Sequence, residues 1–301
     1  MPKNFGKLLY NLLIYLSLIF LCIALYRADY LKIPLIHSFP HLVFSLFFLF
    51  AGFLANAYAW QKLLKQAGFN TMFKTCVASV GLSIFGKYIP GKVWVILGRS
   101  AHIATKNKRD INKLTILSLS DQIIGLWAGL TLGFIGLFLL DGIRLWGWLI
   151  CVIWIILTGM IFSSFFSSFF QVLLKFIIRK DIKLPRRSIR DIFLLLPFYF
   201  GFWIIWAVGF YLLSIGIVQT DVSVFSGLGF PLSATIGILA IFSPGGLGVR
   251  EGIMAGYLSL TGLSLSEVTT IAVTSRLWFL VGEIFIFVGG GFANRSDDRT
   301  I

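Results

Sequence analysis

The sequence predicts an all-α polytopic membrane protein with six full transmembrane helices plus two broken re-entrant helical hairpins, arranged as inverted repeats. Hydrophobic residues make up 58% of its 301 positions, and the mean hydropathy is +0.91. Six apolar runs have about the 20 residues needed to cross a hydrocarbon core of roughly 30 Å. Two further hydrophobic segments are interrupted by Pro-Gly sequences that lie 154 residues apart. Most of the chain is therefore expected in a membrane.

The six predicted spans are distributed along the whole chain. They run over Leu8 to Tyr26, Leu42 to Trp60, Leu114 to Leu140, Leu145 to Phe166, Ile192 to Leu213 and Val268 to Gly289. The first span follows Lys3 and Lys7, is longer than the core of a typical signal peptide and lacks an A-x-A cleavage site. We therefore expect it to remain as a membrane anchor.

The two broken hairpins are predicted over Phe73 to His102 and Val222 to Leu260. The first contains Pro90-Gly91-Lys92, and the second contains Pro244-Gly245-Gly246. Proline ends a helix, and non-helical backbone at membrane depth survives only where protein or a water-filled cavity satisfies its polar groups. Two such breaks in corresponding positions predict a translocation site between them.

The distribution of lysine and arginine supports this arrangement, because cytoplasmic loops are enriched in both residues. With a cytoplasmic N-terminus and hairpins that return to their starting side, nineteen cations, including Arg99, fall on the cytoplasmic side and three outside. Four cations, Lys87, Lys92, Arg250 and Arg276, remain within the membrane zone. The protein is thus predicted to lie in the cell membrane with both termini in the cytoplasm.

The same charge pattern bears on partners and on internal symmetry. A net charge of +14 suggests nucleic acid in a soluble protein, but here the cations crowd into short loops, so no nucleic-acid partner is expected. The basic segment from Gln171 to Asp191 instead suits an anionic membrane surface. Three crossings in each half make residues 1–140 and 141–301 two inverted repeats of a single integral membrane domain, 1–301.

The second Pro-Gly element predicts a binding site for an anion. Ser243 is a good N-cap and Pro244 suits the first helical position, so a half-helix is expected to begin there. Gly245 and Gly246 would allow a ligand close to the backbone, where free N–H groups and the helix dipole favour negative charge. The alternative is a simple loop between two short spans.

The first Pro-Gly element adds two cations to that site. Lys87 and Lys92 lie on either side of Pro90-Gly91 and suit a phosphate headgroup. The alternative is that both side chains reach to the cytoplasmic interface.

The remaining ionisable residues in apolar segments predict ion pairs. Asp121, Glu251 and Glu283 are the acids, and Arg276 lies seven residues before Glu283 on one face of the last helix. Pairing of Arg276 or Arg250 with one of these carboxylates would hold the repeats together. A gating role for such pairs is the alternative.

At these residues the chain resembles the transmembrane flippase region of bacterial lysylphosphatidylglycerol synthases and their stand-alone relatives. The shared motifs are Pro90-Gly91-Lys92 and the stretch from Pro244 to Glu251, which reads Pro-Gly-Gly-Leu-Gly-Val-Arg-Glu. The resemblance implies a lipid transporter, flippase- or scramblase-like, for an anionic or aminoacylated phospholipid or a polyprenyl-phosphate-linked envelope precursor. The full-length synthases also carry a soluble aminoacyl-transferase domain, whereas this sequence ends eleven residues after Gly290. We therefore expect transport rather than catalysis.

Two other functions stay open. One is a membrane-embedded polyprenyl-phosphate-dependent glycosyltransferase, although Asp29, Asp141 and Asp221 stand alone on predicted outer loops. The other is a non-catalytic partner of a polysaccharide or envelope machine, which would bind envelope biosynthesis enzymes or a second copy of the chain. No cofactor or metal is expected, because the cysteines lack paired spacing and Pro40 separates the two nearest histidines.

Overall fold

The structure, a computed structural model, describes residues 35–89, 93–107, 110–141, 145–162, 189–240 and 243–298. This part of the chain contains helices and no strands. The helices are α1 (Phe39–Gln66), α2 (Phe73–Ser83), α3 (Val93–Asn107), α4 (Ile111–Asp141), α5 (Leu145–Phe162), α6 (Ile189–Ile217), α7 (Gly229–Leu239), α8 (Val249–Ser259) and α9 (Leu265–Asp298). Short 3₁₀ turns cover Ile84–Tyr88, Val224–Leu228 and Pro244–Gly246.

Four helices, α1, α4, α6 and α9, are long and apolar enough to cross a membrane. They confirm four of the six predicted spans, and each helix extends beyond the predicted limits at both ends. Of the other two, Leu8 to Tyr26 lies outside the described residues. The predicted span Leu145 to Phe166 is described as far as Phe162, where α5 ends. The chain is a multi-pass membrane protein.

Helices α2 and α3 form the first hairpin. Ser79 Oγ donates a hydrogen bond to the carbonyl oxygen of Arg99 at 3.2 Å, and a Cβ on Gly86 would lie 3.0 Å from the backbone of Trp94. In each pair, the two residues lie about equally far before and after residue 90. The two arms therefore run antiparallel. Helices α2 and α3 have 11 and 15 residues and are about 17 and 23 Å long, and the 3₁₀ turn Ile84–Tyr88 extends the first arm toward the break. Pro90, Gly91 and Lys92 lie outside the described residues.

Helices α7 and α8 form the second hairpin in the same way. A Cβ on Gly237 would lie 3.1 Å from that of Arg250, and one on Gly229 would lie 2.6 Å from the ring of Tyr257. In each pair, the two residues lie about equally far before and after residue 243, at the second Pro-Gly element. The arms are therefore antiparallel here too.

The predicted start of the second half-helix at Pro244 is wrong, because α8 begins at Val249. Gly245, Gly246 and Gly248 have φ values of 61°, 74° and 79°. This left-handed backbone cannot continue a right-handed helix. Helix α8 starts only after Gly248, whose N–H donates to Glu251 Oε2 at 2.7 Å.

The long helices and the hairpins pack in a reciprocal pattern. Helix α1 packs along α6, while the first arm of each hairpin packs against the last long helix of the other half, α2 on α9 and α7 on α4. Both contacts depend on glycine: Gly81 of α2 touches the backbone of α9, and Gly133 of α4 touches Leu232 of α7. Aromatic side chains fill the centre, where Trp206 and Phe230 each contact Phe279.

Replacing Gly81 by alanine is expected to lower the free energy of unfolding by about 2 to 3 kcal/mol, because overpacking forces backbones apart. A Cβ there would lie 2.0 Å from the carbonyl oxygen of Ile286. Gly159→Ala on α5 is the matched control, since no described atom lies within 4 Å of its added Cβ. The control should be neutral or stabilising by up to about 1 kcal/mol from helix propensity. Thermal unfolding in detergent measures both; a Gly81→Ala protein as stable as wild type contradicts the packing described.

Candidate functional site

A cavity of about 150 Å³ lies where both hairpins meet the four long helices. Its wall combines four cations, one carboxylate, two amides and a set of aromatic rings. These residues are Lys87, Arg99, Arg250 and Arg276, then Asp121, then Asn56 and Gln122, then Phe53, Phe202, Trp203, Trp206 and Phe279. The volume is many times what one water needs, so a small polar group fits inside.

The first of three ion pairs joins the first hairpin to α9. The Lys87 ammonium contacts Glu283 Oε1, and the Tyr88 hydroxyl donates to Glu283 Oε2 at 2.9 Å. The Glu283 side chain is 1% exposed and that of Lys87 is 21% exposed. Lys87 therefore faces the cavity and a buried carboxylate, in contrast to the alternative that it reaches to the interface.

The second ion pair joins α9 to the second Pro-Gly element. Arg276 Nε lies 3.5 Å from Glu251 Oε1, and Arg276 Nη2 donates to the carbonyl oxygen of Gly245 at 2.6 Å. Of the three carboxylates considered for Arg276, Glu251 lies beside it, whereas Glu283 pairs with Lys87 and Asp121 with Arg99. Arg276 satisfies a carbonyl that the broken helix leaves without a helical partner.

The third ion pair involves Arg99, which the loop count grouped with the cytoplasmic cations. Arg99 is 3% exposed and donates to Asp121 Oδ2 at 2.5 Å. The other oxygen of Asp121 accepts from the Tyr199 hydroxyl at 2.6 Å, and Arg99 Nη2 donates to Asn56 Oδ1 at 3.2 Å. Helix α3 thus carries Arg99 inside the protein, where it pairs with a buried carboxylate.

Arg250 forms no ion pair with a carboxylate of the described residues. Its side chain is 5% exposed, and its Nε and Nη2 atoms make no hydrogen bond to the described residues. The guanidinium carbon lies 4.7 Å from the ring centre of Phe230 and 4.9 Å from that of Phe279. Among the described residues of the site, four cations therefore face three carboxylates, leaving one positive charge uncompensated at the cavity wall.

The two predicted glycines have different surroundings. Gly245 lines the cavity, and a Cβ there would lie 2.6 Å from the Tyr88 ring. This contact brings the two broken hairpins together. Gly246 instead packs on α7, where a Cβ would lie 2.8 Å from the carbonyl oxygen of Gly237. Close packing of protein backbone thus occupies the space beside Gly246, and Pro244 lies in the 3₁₀ turn before it.

Sequence reasoning missed several residues of the cavity wall, notably Arg99, Asn56 and Gln122. Asn56 and Gln122 lie inside long apolar helices, where a polar amide is unusual, and that signal could have identified them. The aromatic residues carry no comparable signal, because lipid-facing and cavity-facing rings look alike in an apolar run. Among the described residues, no group of three metal-binding side chains occurs.

Four long apolar helices and two broken hairpins around a cationic cavity define a multi-pass membrane protein with a buried polar site. Residues 8–282 match the family model of the Lysylphosphatidylglycerol synthase TM region, and the chain belongs to that family. The match confirms the resemblance seen in the Pro-Gly motifs and gives the protein a membrane lipid-related function. A search of curated proteins found no match.

Proposed function

We propose that this protein is a flippase- or scramblase-like transporter that moves an anionic lipid between leaflets. The lipid's phosphate enters the cavity between the hairpins while its tails stay in the bilayer. The observation that carries this proposal is Arg250, a buried guanidinium that lines the cavity and pairs with no carboxylate among the described residues. Lys92 and the Pro90-Gly91 element are proposed to complete the headgroup site from the first hairpin.

The energetics of Arg250 favour an anionic occupant. A charged group within a membrane costs roughly 2.5 to 3.5 kcal/mol on insertion scales unless a partner compensates it. Cation–π contacts with Phe230 and Phe279 recover part of this cost, about 0.5 to 2 kcal/mol. A phosphate can accept two parallel hydrogen bonds from one guanidinium, which makes arginine well suited to it. The negative charge of the headgroup phosphate balances the positive charge of Arg250.

We further propose that residues 1–140 and 141–301 are inverted repeats that form the site between them. In this proposal, α1, α2, α3 and α4 of the first repeat correspond to α6, α7, α8 and α9 of the second. The contact of α2 with α9 then corresponds to the contact of α7 with α4. The same correspondence relates the two hairpins. Transporters with inverted repeats commonly hold substrate between broken helices. Lys87–Glu283 and the hydrogen bond from Tyr199 to Asp121 are proposed to hold the two repeats together. Arg276–Glu251, within the second repeat, is proposed to act with Lys87–Glu283 as the gate.

Single cysteines at Lys106 and Arg295, in a chain whose native cysteines are replaced, should both be labelled only from the cytoplasmic side. Both proposed hairpins return to their starting side, so α3 and α9 should end on one face. Gln219→Cys, on the loop after α6, is the control and should be labelled only from outside. Labelling Lys106→Cys and Arg295→Cys from opposite faces would contradict the proposed repeats and the cytoplasmic C-terminus.

In proteoliposomes, the wild-type protein should speed the movement of phosphatidylglycerol, and Arg250→Gln should slow it by about 10- to 100-fold. That is the expected result of losing one charge-assisted contact in a partly dehydrated site. Arg295→Gln, an exposed arginine at the end of α9, is the matched control and should transport normally. Transport by folded Arg250→Gln at the wild-type rate would remove the basis of the proposal.

A further inference from the structure

We infer that the cavity selects a hydroxyl-bearing anionic headgroup and rejects one that carries a free amine. This inference rests on the proposed function, because it concerns which lipid enters the same site. The shared chemistry is a phosphate ester next to hydroxyl groups, as in phosphatidylglycerol or a sugar on polyprenyl phosphate. Aminoacylated lipids carry a free amine and are therefore expected to be rejected.

The carboxylates of the site show why an ammonium group is disfavoured. Both oxygens of Asp121 are occupied, by Arg99 and Tyr199, and both oxygens of Glu283 are occupied, by Lys87 and Tyr88. Glu251 Oε2 accepts from the N–H of Gly248, while Oε1 lies beside Arg276 and makes no hydrogen bond to the described residues. Of these three carboxylates, Asp121 is the one that lines the cavity. An ammonium in the cavity would therefore have to share Asp121 with Arg99.

The cations of the site add repulsion to this lack of acceptors. Arg250 lies at the cavity wall without a carboxylate, and the Lys87 ammonium is 5.0 Å from the Phe279 ring that Arg250 also contacts. A headgroup ammonium would enter next to both positive charges. Like charges that cannot separate in a desolvated site reduce affinity, which provides specificity against the wrong ligand.

Two amides provide partners for hydroxyl groups. Asn56 uses its Oδ1 to accept from Arg99, which leaves its NH₂ group as a donor. Gln122 also lines the cavity, and its side-chain amide carries both a donor and an acceptor group. An uncharged amide can donate to and accept from a hydroxyl, whereas it cannot neutralise an ammonium.

Native mass spectrometry of the detergent-purified protein with equimolar phosphatidylglycerol and lysylphosphatidylglycerol tests this selectivity directly. We expect bound phosphatidylglycerol to exceed bound lysylphosphatidylglycerol by about tenfold or more, the effect of one unmatched charge in a buried site. In a second arm, a polyprenyl-phosphate hexose competes with phosphatidylglycerol. Preferential binding of either lipid in this second experiment supports the inference and identifies the lipid class.

Gln122→Glu places a carboxylate beside the cavity and should shift the bound ratio toward lysylphosphatidylglycerol by about tenfold. Gln219→Glu, an exposed glutamine after α6, is the control and should leave the ratio unchanged. Equal or preferential binding of lysylphosphatidylglycerol by the wild type, or a ratio that Gln122→Glu does not move, overturns the inference. Because binding is read without transport, selective binding by a protein that fails in proteoliposomes would count against the proposed function alone.

Discussion

Asp121→Asn is expected to lower the free energy of unfolding by about 5 kcal/mol, because it leaves the Arg99 guanidinium buried without a countercharge. The side chains of Arg99 and Asp121 are 4% and 3% exposed, so water screens the lost charge very little. The value therefore lies at the upper end for a broken buried pair. Thermal unfolding in detergent, calibrated by denaturant titration, measures the loss.

Two further variants distinguish a broken ion pair from general damage to α4. Asp110→Asn is the matched control, because Asp110 is an exposed acid just before the same helix and asparagine is an equally good N-cap. It should change stability little. Combining Arg99→Met with Asp121→Asn should recover part of the loss, and the double-mutant cycle gives the coupling. Purely additive losses would show that the two side chains do not stabilise each other.

Glu283→Gln is expected to cost about 3 kcal/mol, the lower end for a buried pair, because water reaches part of its partner. The Lys87 side chain is 21% exposed, whereas that of Glu283 is 1% exposed. Glutamine keeps an acceptor for the Tyr88 hydroxyl, so the loss reports mainly on charge. The same unfolding measurements, made on purified variants, check it.

Glu267→Gln is the control for Glu283→Gln on the same helix. Its exposed carboxylate accepts from Ser264 at Oε2 and from Thr220 at Oε1. A glutamine oxygen can keep the bonds from Ser264, and the amide NH₂ can donate to the Thr220 hydroxyl. Removing that charge should cost less than about 1 kcal/mol. If Glu283→Gln is as mild as Glu267→Gln, Lys87 does not depend on Glu283, and the first hairpin is not tied to α9 by charge.

Hydropathy and the positions of proline were enough to predict four long helices and two hairpins centred on Pro-Gly elements. Those features depend on local sequence, since apolar length and a missing N–H act wherever the chain lies. The start of α8 could not be predicted from Ser243 and Pro244, because three left-handed glycines follow them. Their φ values depend on close packing, as with Gly246 against Gly237, which sequence spacing does not show.

The ion pairs, too, could be predicted from the sequence only in part. The four membrane-zone cations and three acids were predicted to matter because charge is costly there, and Arg276 does lie beside Glu251. The pairing of Lys87 with Glu283, 196 positions away, depends on the packing of α2 on α9 and leaves no local signal. The burial of Arg99 against Asp121 was not predicted, because Lys106 and Lys108 follow it closely and make the segment resemble a loop.

The central claim is that a lipid phosphate takes the place of the missing partner of Arg250. Electron cryo-microscopy of the protein in nanodiscs that contain phosphatidylglycerol locates the phosphate directly. We predict density for a phosphate within about 3.5 Å of the Arg250 guanidinium, with glycerol hydroxyls toward Gln122. Lipid phosphates confined to the protein surface, with an empty cavity and Arg250 held only by Phe230 and Phe279, would contradict the account.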